Sequence, residues 1–430
     1  FDALIDNSYV SQLTPTEQFV AAYGGRQGQI DKSLKTGDTG YAMRQMWHAT
    51  QGYKITVDDC GTKEGFKISK KSLTRFVDIE SATDENEKAK LIQDVNDMFK
   101  HAIVGRYTLD NQLISEELAN KWAAEKEEVT IRSPLYCKCP CCQKCYGVDW
   151  STHKPAVKSL AVGVIAAQSI GEPGTQLTMK QFQKGGVAGK AEMTSAFDKV
   201  NNYILCTNIA KQCKEGKYPG YDPLAWDDGE VHIMPTSDIN RVKVTIGENK
   251  KKNVIVPKSV ALKNYATKGE GLSYKHGDYD LHELLDICGI NATQEYLVFK
   301  LYNLYKSEVE IALVHFEILV ASMTRYMIYD TDRDDIMIGQ YCTGAELFSK
   351  SVKNTKYKPN LISVNMLVNT SMDAMDAIIM ERQGSGLARL CLLELQDKLV
   401  KPINRIVLGL PILEGSARPG FIEERKEIIT

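Results

Sequence analysis

The feature that most constrains this chain is a run of about 35 residues that can form one helix and holds no proline to stop it. Thr14-Pro15-Thr16-Glu17 reads as a capping box with proline at the first helical position. Helix-compatible residues continue from Pro15 to about Ala49, and the next proline is Pro134. At 1.5 Å per residue such a helix is about 50 Å long. The run also contains Gly24, Gly25, Gly28, Gly37 and Gly40. Each interior glycine costs about 1 kcal/mol relative to alanine. Two readings stand open: two ordinary helices broken at Gly24-Gly25, or one long helix kept bendable.

The remaining pattern points to an α+β chain, mainly helical, with a smaller β-rich region. Residues 84–103 and 116–127 are charged and amphipathic, which predicts surface helices. Residues 155–170 are apolar and helical, ended by Gly171-Glu172-Pro173-Gly174. Residues 175–184 look helical again, with Gly185, Gly186 and Gly189 as a flexible tip. Residues 229–256 alternate like strands. Lys250-Lys251-Lys252 reads as a hairpin tip, or alternatively as a basic patch for nucleic acid. Residues 281–329 and 361–400 are mainly helical. These shifts divide the chain at 1–50, 51–153, 154–215, 216–280 and 281–430.

With 430 residues there is room for several modules with buried cores. The formal net charge is −2. An autonomous nucleic-acid binder is usually basic, because counterion release from phosphates drives its affinity. A subunit lending a few basic groups to a shared channel remains compatible with this charge. No apolar run is long enough to span a bilayer and no signal-peptide pattern is present, so a cytoplasmic protein is expected. The chain begins at Phe1, which leaves a processed or truncated N-terminus open.

Eleven cysteines, five of them between Cys137 and Cys145, do not look like a disulfide framework. Cys142-Gln143-Lys144-Cys145 is a Cys-x-x-Cys knuckle that offers two ligands for structural zinc. Cys137 can offer a third, and Cys60, in Asp58-Asp59-Cys60-Gly61-Thr62, is the candidate fourth. Cys139 and Cys141 are alternates, and a redox pair or buried free thiols is the competing reading.

The string AAQSIGEPGTQLT, within residues 161–189, resembles the trigger-loop segment of the largest subunit (β′) of multisubunit RNA polymerases. Residues 23–46, YGGRQGQIDKSLKTGDTGYAMRQM, look like that family's bridge helix. DDCGTKEG at 58–65 and IRSPLYC…CQKCYG at 131–147 resemble its second zinc site. Residues 281–310 and 401–420 resemble later β′ stretches, so the likeness runs in order along nearly the whole chain. The family's magnesium-binding motif, NADFDGD, is absent from this sequence. The acidic run Asp330, Asp332, Asp334 and Asp335 falls where the family has a loop, and reads as solvated rather than as a metal site.

The resemblance implies a subunit of a DNA-directed RNA polymerase, active only within a multisubunit complex. The reaction is nucleotidyl transfer: an RNA 3′-hydroxyl attacks the α-phosphate of a nucleoside triphosphate and pyrophosphate leaves. The catalytic magnesium would sit on a β′-N-like partner, with β-like subunits, template DNA and the RNA transcript as further partners. Met179 would pack on the nucleobase, Lys180 would meet phosphates and Gln183 would face the β-phosphate. Core packing is the competing reading for Met179. Gln176 and Thr178 would lie near the ribose or the adjoining helix. Lys35, Thr36 and Gly37 would back the template base, beside Tyr41, and Arg44 would approach nucleic-acid phosphate.

Two positions depart from bacterial members, which have arginine at Lys180 and histidine at Gln183. Lysine keeps the charge and loses the bidentate fork. Glutamine donates a hydrogen bond but supplies no proton near neutral pH. A short C-terminal half split upstream of the bridge helix fits a giant-bacteriophage polymerase, working in the host cytoplasm. The alternative function is a non-catalytic, zinc-containing assembly or regulatory factor derived from a polymerase.

Overall fold

The protein is described from a computed structural model, which covers residues 5–8, 10–77, 85–184, 196–214, 220–235, 241–247, 253–258, 260–274, 277–306, 309–329, 341–343, 356–369, 384, 388, 391–392, 397 and 399–415. The side chains of Lys35 and of residues 175–184 also lie outside the described set. The glycine tip at 185–189, Lys250–Lys252 and the acidic run at 330–335 fall outside it too.

Of the two readings of the first helix, the single long one holds. α1 runs unbroken over Pro15–Thr50. The capping box is formed: the Glu17 N–H donates to Thr14 Oγ1 at 3.3 Å, and the Thr14 N–H donates to Glu17 Oε2 at 2.8 Å. The C-terminal half of α1 buries Thr39, Ala42, Met46 and Thr50. Their spacing of three or four residues makes one face of the helix.

α6 packs along that face. It is one helix, Val162–Lys184, with Pro173 inside it. The expected start near residue 155 and the expected stop at Gly171-Glu172-Pro173-Gly174 are both corrected. Lys154-Pro155 pairs instead with Val148-Asp149 as a two-residue ladder. Gly163, in the first turn of α6, and Gly171, in its interior, both lie where α6 meets α1. A Cβ on Gly163 would sit 2.8 Å from the Thr50 carbonyl carbon and closer still to its oxygen. A Cβ on Gly171 would sit 2.9 Å from Met43 Cβ, with Met43 Cγ nearer. Removing two side chains is what lets the helix backbones approach. Thr50 Oγ1 closes the contact by donating to the Gly163 carbonyl at 2.8 Å.

Behind α6 lies α11, Leu313–Thr324, all twelve of whose residues are buried. A helix with no solvent face belongs at the centre of a core. α10, Ile290–Lys306, packs on it, and α9, Leu281–Cys288, precedes α10. Asp280 caps α9 by accepting from the His282 and Glu283 N–H groups. The amphipathic helices are α3, Glu85–Ile103, and α4, Glu116–Glu125, as the charge pattern predicts.

Small antiparallel sheets fill the remainder. β1 (Phe66–Ser69) pairs with β2 (Glu128–Ile131), Phe66 opposite Ile131. Within residues 229–256, β5 (Gly229–Pro235), β6 (Arg241–Ile246) and β7 (Val254–Pro257) form a meander that β8 (Tyr265–Ala266) extends. The helical reading of 281–329 stops at Thr324: Tyr326–Tyr329, aromatic and β-branched, is the central strand of a three-stranded sheet. Among the described residues no helix is long and apolar enough to cross a membrane.

Candidate functional site

Two segments far apart in sequence build a thiol cluster. Residues 56–58 dock on the knuckle: the Thr56 N–H donates to the Cys141 carbonyl, and the Gln143 and Lys144 N–H groups donate to the Val57 and Asp58 carbonyls. Cys60 then turns inward. Gly61 adopts φ +63°, a left-handed conformation suited to glycine, and its N–H donates to Asp59 Oδ1 at 2.8 Å. On the other side Cys142 caps the single-turn helix Gln143–Tyr146, its Sγ accepting from the Cys145 N–H at 3.3 Å.

The result brings the Sγ atoms of Cys60, Cys137, Cys142 and Cys145 within 4.8 Å of one another. Cys60 and Cys145 sulfurs are 3.7 Å apart. Sulfurs sharing a tetrahedral zinc at about 2.3 Å each lie about 3.8 Å apart, so the donor set fits that ion. Hydrogen bonds from Cys137, Cys139 and Cys145 hold the Cys142 thiol far below its ordinary range. These are the four cysteines expected from the sequence.

Arginine chemistry surrounds the cluster. Arg132 Nη2 lies 3.6 Å from Cys60 Sγ and 3.9 Å from Cys145 Sγ, and donates to Asp59 Oδ1. Asp59 also accepts from Lys144 Nζ at 3.0 Å. The Arg132 contact depresses the Asp59 carboxyl well below the usual carboxylate range. A cationic fork beside the sulfurs offsets the negative charge that four thiolates bring to a divalent ion.

One step further in, Arg106 makes a fork–fork pair with Glu317, Nη1 to Oε1 and Nη2 to Oε2 each at 2.7 Å. Both side chains are almost wholly buried, at 3% and 0% exposure. Arg106 Nη2 also donates to the carbonyls of Arg132 and Cys145, and Ser133 Oγ donates to Glu317 Oε2. The thiol module is thereby tied to α11. Sequence reading missed this pair because its members are 211 residues apart. Arg132 stands inside the quoted string IRSPLYC, and an arginine five residues before Cys137 was the available signal.

The helix pair forms the second part of the site. Gly37, Tyr41 and Arg44 are exposed at four- and three-residue spacing, on the stripe of α1 opposite its buried face. Thr36 beside them is half-buried. A Cβ on Gly37 or Gly40 would meet no atom within 4 Å. α6 carries Gln176, Thr178, Met179, Lys180 and Gln183 on its C-terminal part. Those five side chains and that of Lys35 lie outside the described residues.

Comparison with known proteins follows the same line. The model of RNA polymerase Rpb1, domain 5, matches residues 12–340. DNA-directed RNA polymerase subunit beta' of Ureaplasma parvum is 31% identical over 385 residues, covering 84% of this chain and 28% of the relative. The Thermus thermophilus subunit is 29% identical over 439 residues, covering 97% and 28%. The Clostridium acetobutylicum subunit is 31% identical over 366 residues, covering 83% and 29%. The chain therefore spans little more than a quarter of the length of these relatives. With a matching family model over most of its length, this chain belongs to the RNA polymerase Rpb1 domain 5 family, and corresponds to a C-terminal part of the polymerase largest subunit.

Proposed function

We propose that this chain works in the cytoplasm as a subunit of a DNA-directed RNA polymerase, supplying the bridge helix, α1, and the trigger-loop helix, α6, to an active centre completed by other chains. The observation that carries the reading is the α1–α6 contact. Two glycines and the Thr50 hydroxyl hold α6 against one face of α1, which leaves Gly37, Tyr41 and Arg44 on the open face. A helix fixed from behind, whose opposite stripe is exposed among the described residues, can back a template base and an RNA–DNA hybrid.

In this reading the chain's own groups position and neutralise. Arg44 meets nucleic-acid phosphate, and the open space over Gly37 receives a base edge. Closure of the C-terminal part of α6 on substrate places Met179 on the nucleobase, Lys180 on the triphosphate and Gln183 near the leaving group, with Gln176 and Thr178 toward the ribose. Closure excludes water and tests the incoming base before chemistry. Glutamine at 183 confines that residue to hydrogen bonding, because its amide carries no transferable proton near neutral pH. Magnesium, held by aspartates of a β′-N-like chain, supplies stabilisation of the attacking and leaving oxygens. The other partners are β-like subunits, template DNA, the RNA transcript and nucleoside triphosphates.

The cysteine cluster holds zinc in a structural role, since four thiolates leave no open position for substrate. The test is reconstitution with co-purified partners on a primed template. Template-directed extension that requires this chain supports the proposal. Extension by this chain alone, or undiminished extension without it, refutes it.

A further inference from the structure

The thiol cluster contains a fifth sulfur that its four positions do not require. Cys139 Sγ lies 3.4 Å from Cys137 Sγ. Cys142 is its second thiol partner. The chain path explains this placement. Cys137 is extended, at φ −73° and ψ 129°, and Pro140 biases Cys139 toward extended backbone as well. In an extended segment residues two apart face the same side. Lys138 points the other way, and its Nζ donates to the Gly61 carbonyl at 3.1 Å, which ties the segment to the Cys60 turn.

The neighbouring Cys141 shows what a cysteine outside the site looks like here. It is fully buried among Tyr53, Ile55, Tyr146 and Val162, and its Sγ reaches only the Cys142 carbonyl, at 3.7 Å. Cys139 is half-buried and its contacts are the cluster's own thiols and Thr56.

We propose that Cys137 and Cys139 are interchangeable ligands for one coordination position, so that the zinc site carries five sulfurs for four places. This rests on reading the cluster as a zinc site. In the exchange Cys139 gives its proton to solvent and bonds the metal as thiolate, while Cys137 leaves the metal and takes up a proton. The number of zinc–sulfur bonds and the charge of the site are unchanged. The spare sulfur recaptures the metal whenever one ligand lets go, which slows zinc loss.

The experiment compares full-length chains in the assembled complex: wild type, Cys137→Ser, Cys139→Ser, the double variant and Cys142→Ser. Zinc is measured by elemental analysis, and cobalt(II) replacement counts thiolates through the sulfur-to-metal absorption band. Cys137→Ser and Cys139→Ser should each keep about one metal with a four-thiolate spectrum. The double variant and Cys142→Ser should lose most of it. Cys139→Ser should also release zinc to a chelator about tenfold faster than wild type, a readout that needs no ligand-deficient variant to fold. Cys137→Ser holding no more metal than Cys142→Ser overturns the proposal while leaving the zinc site intact in wild type, as does wild-type release from Cys139→Ser. A metal-free wild type overturns the zinc reading and this proposal together.

Discussion

The same substitution at two helix glycines should have opposite signs. Gly37→Ala places a methyl in open space, so only helix propensity counts, and the chain should gain about 1 kcal/mol. Gly163→Ala gains the same propensity but drives its methyl into the Thr50 carbonyl, 2.8 Å from the carbon, and within 3.0 Å of Tyr53 Cβ. Ordinary carbon contacts begin near 3.5 Å, so α6 must shift by roughly 1 Å. Overpacking of this kind costs about 1–3 kcal/mol. The shift also stretches the Thr50–Gly163 hydrogen bond, worth about 1 kcal/mol. The net expectation for Gly163→Ala is a loss of about 1–3 kcal/mol. Denaturant midpoints of the two variants measure this directly. Nucleotide addition by the reconstituted complex should fall for both, because Gly37→Ala fills the face proposed to meet the template base. Stabilisation by Gly163→Ala of the size seen at Gly37 would refute the close-packed α1–α6 contact.

Three further outcomes are expected. Glu317→Leu or Arg106→Met alone should cost about 3–5 kcal/mol, since each strands a buried charge, whereas the double variant should recover most of that in a double-mutant cycle; additive costs would contradict the pairing. Burial, helped by Arg106 and opposed by Asp149, lowers His315 from 6.5 to about 4, so the unfolded chain binds a proton that the folded chain refuses. Stability should be fully present above about pH 6.5 and fall by about 3 kcal/mol toward pH 4, and His315→Leu should flatten that slope in urea titrations at pH 7.5 and 5. Lys180→Ala should slow single-nucleotide addition roughly ten- to a hundredfold, from a lost charge-assisted contact of about 1.5–3 kcal/mol, and Gln183→Ala should slow it less; wild-type rates for both would refute trigger-loop closure on substrate.

Local chemistry was legible and long-range geometry was not. The Thr14–Glu17 capping box announced the start of α1, because both partners sit within one turn. The cysteine spacing with the resemblance at 58–65 named the four sulfurs that the fold gathers. Gly171-Glu172-Pro173-Gly174 misled because glycine and proline usually punctuate helices. At Gly171 the missing side chain serves a neighbouring helix instead, and nothing within residues 155–184 reveals that neighbour. The Tyr326–Tyr329 strand was likewise invisible, since its partners, Tyr341–Thr343 and Tyr357–Pro359, arrive later in the chain.

The Arg106–Glu317 pair is the least economical feature of the core, and its placement gives the reason for it. Burying two charges costs several kcal/mol per ion, and apolar residues of similar volume often serve stability as well or better. Apolar packing, however, fixes no azimuth. A planar fork meeting a carboxylate through two bonds fixes both distance and orientation. Here the fork also grips the carbonyls of Arg132 and Cys145, one beside the thiol cluster and one belonging to it. The carboxylate it holds stands on α11, the buried helix against which α6 packs, and α6 in turn sets the position of α1. The orientation of the thiol module is thus registered against the helix pair by one bidentate contact. If the pair specifies that arrangement, the two single variants should disturb the helix pair more than their double should.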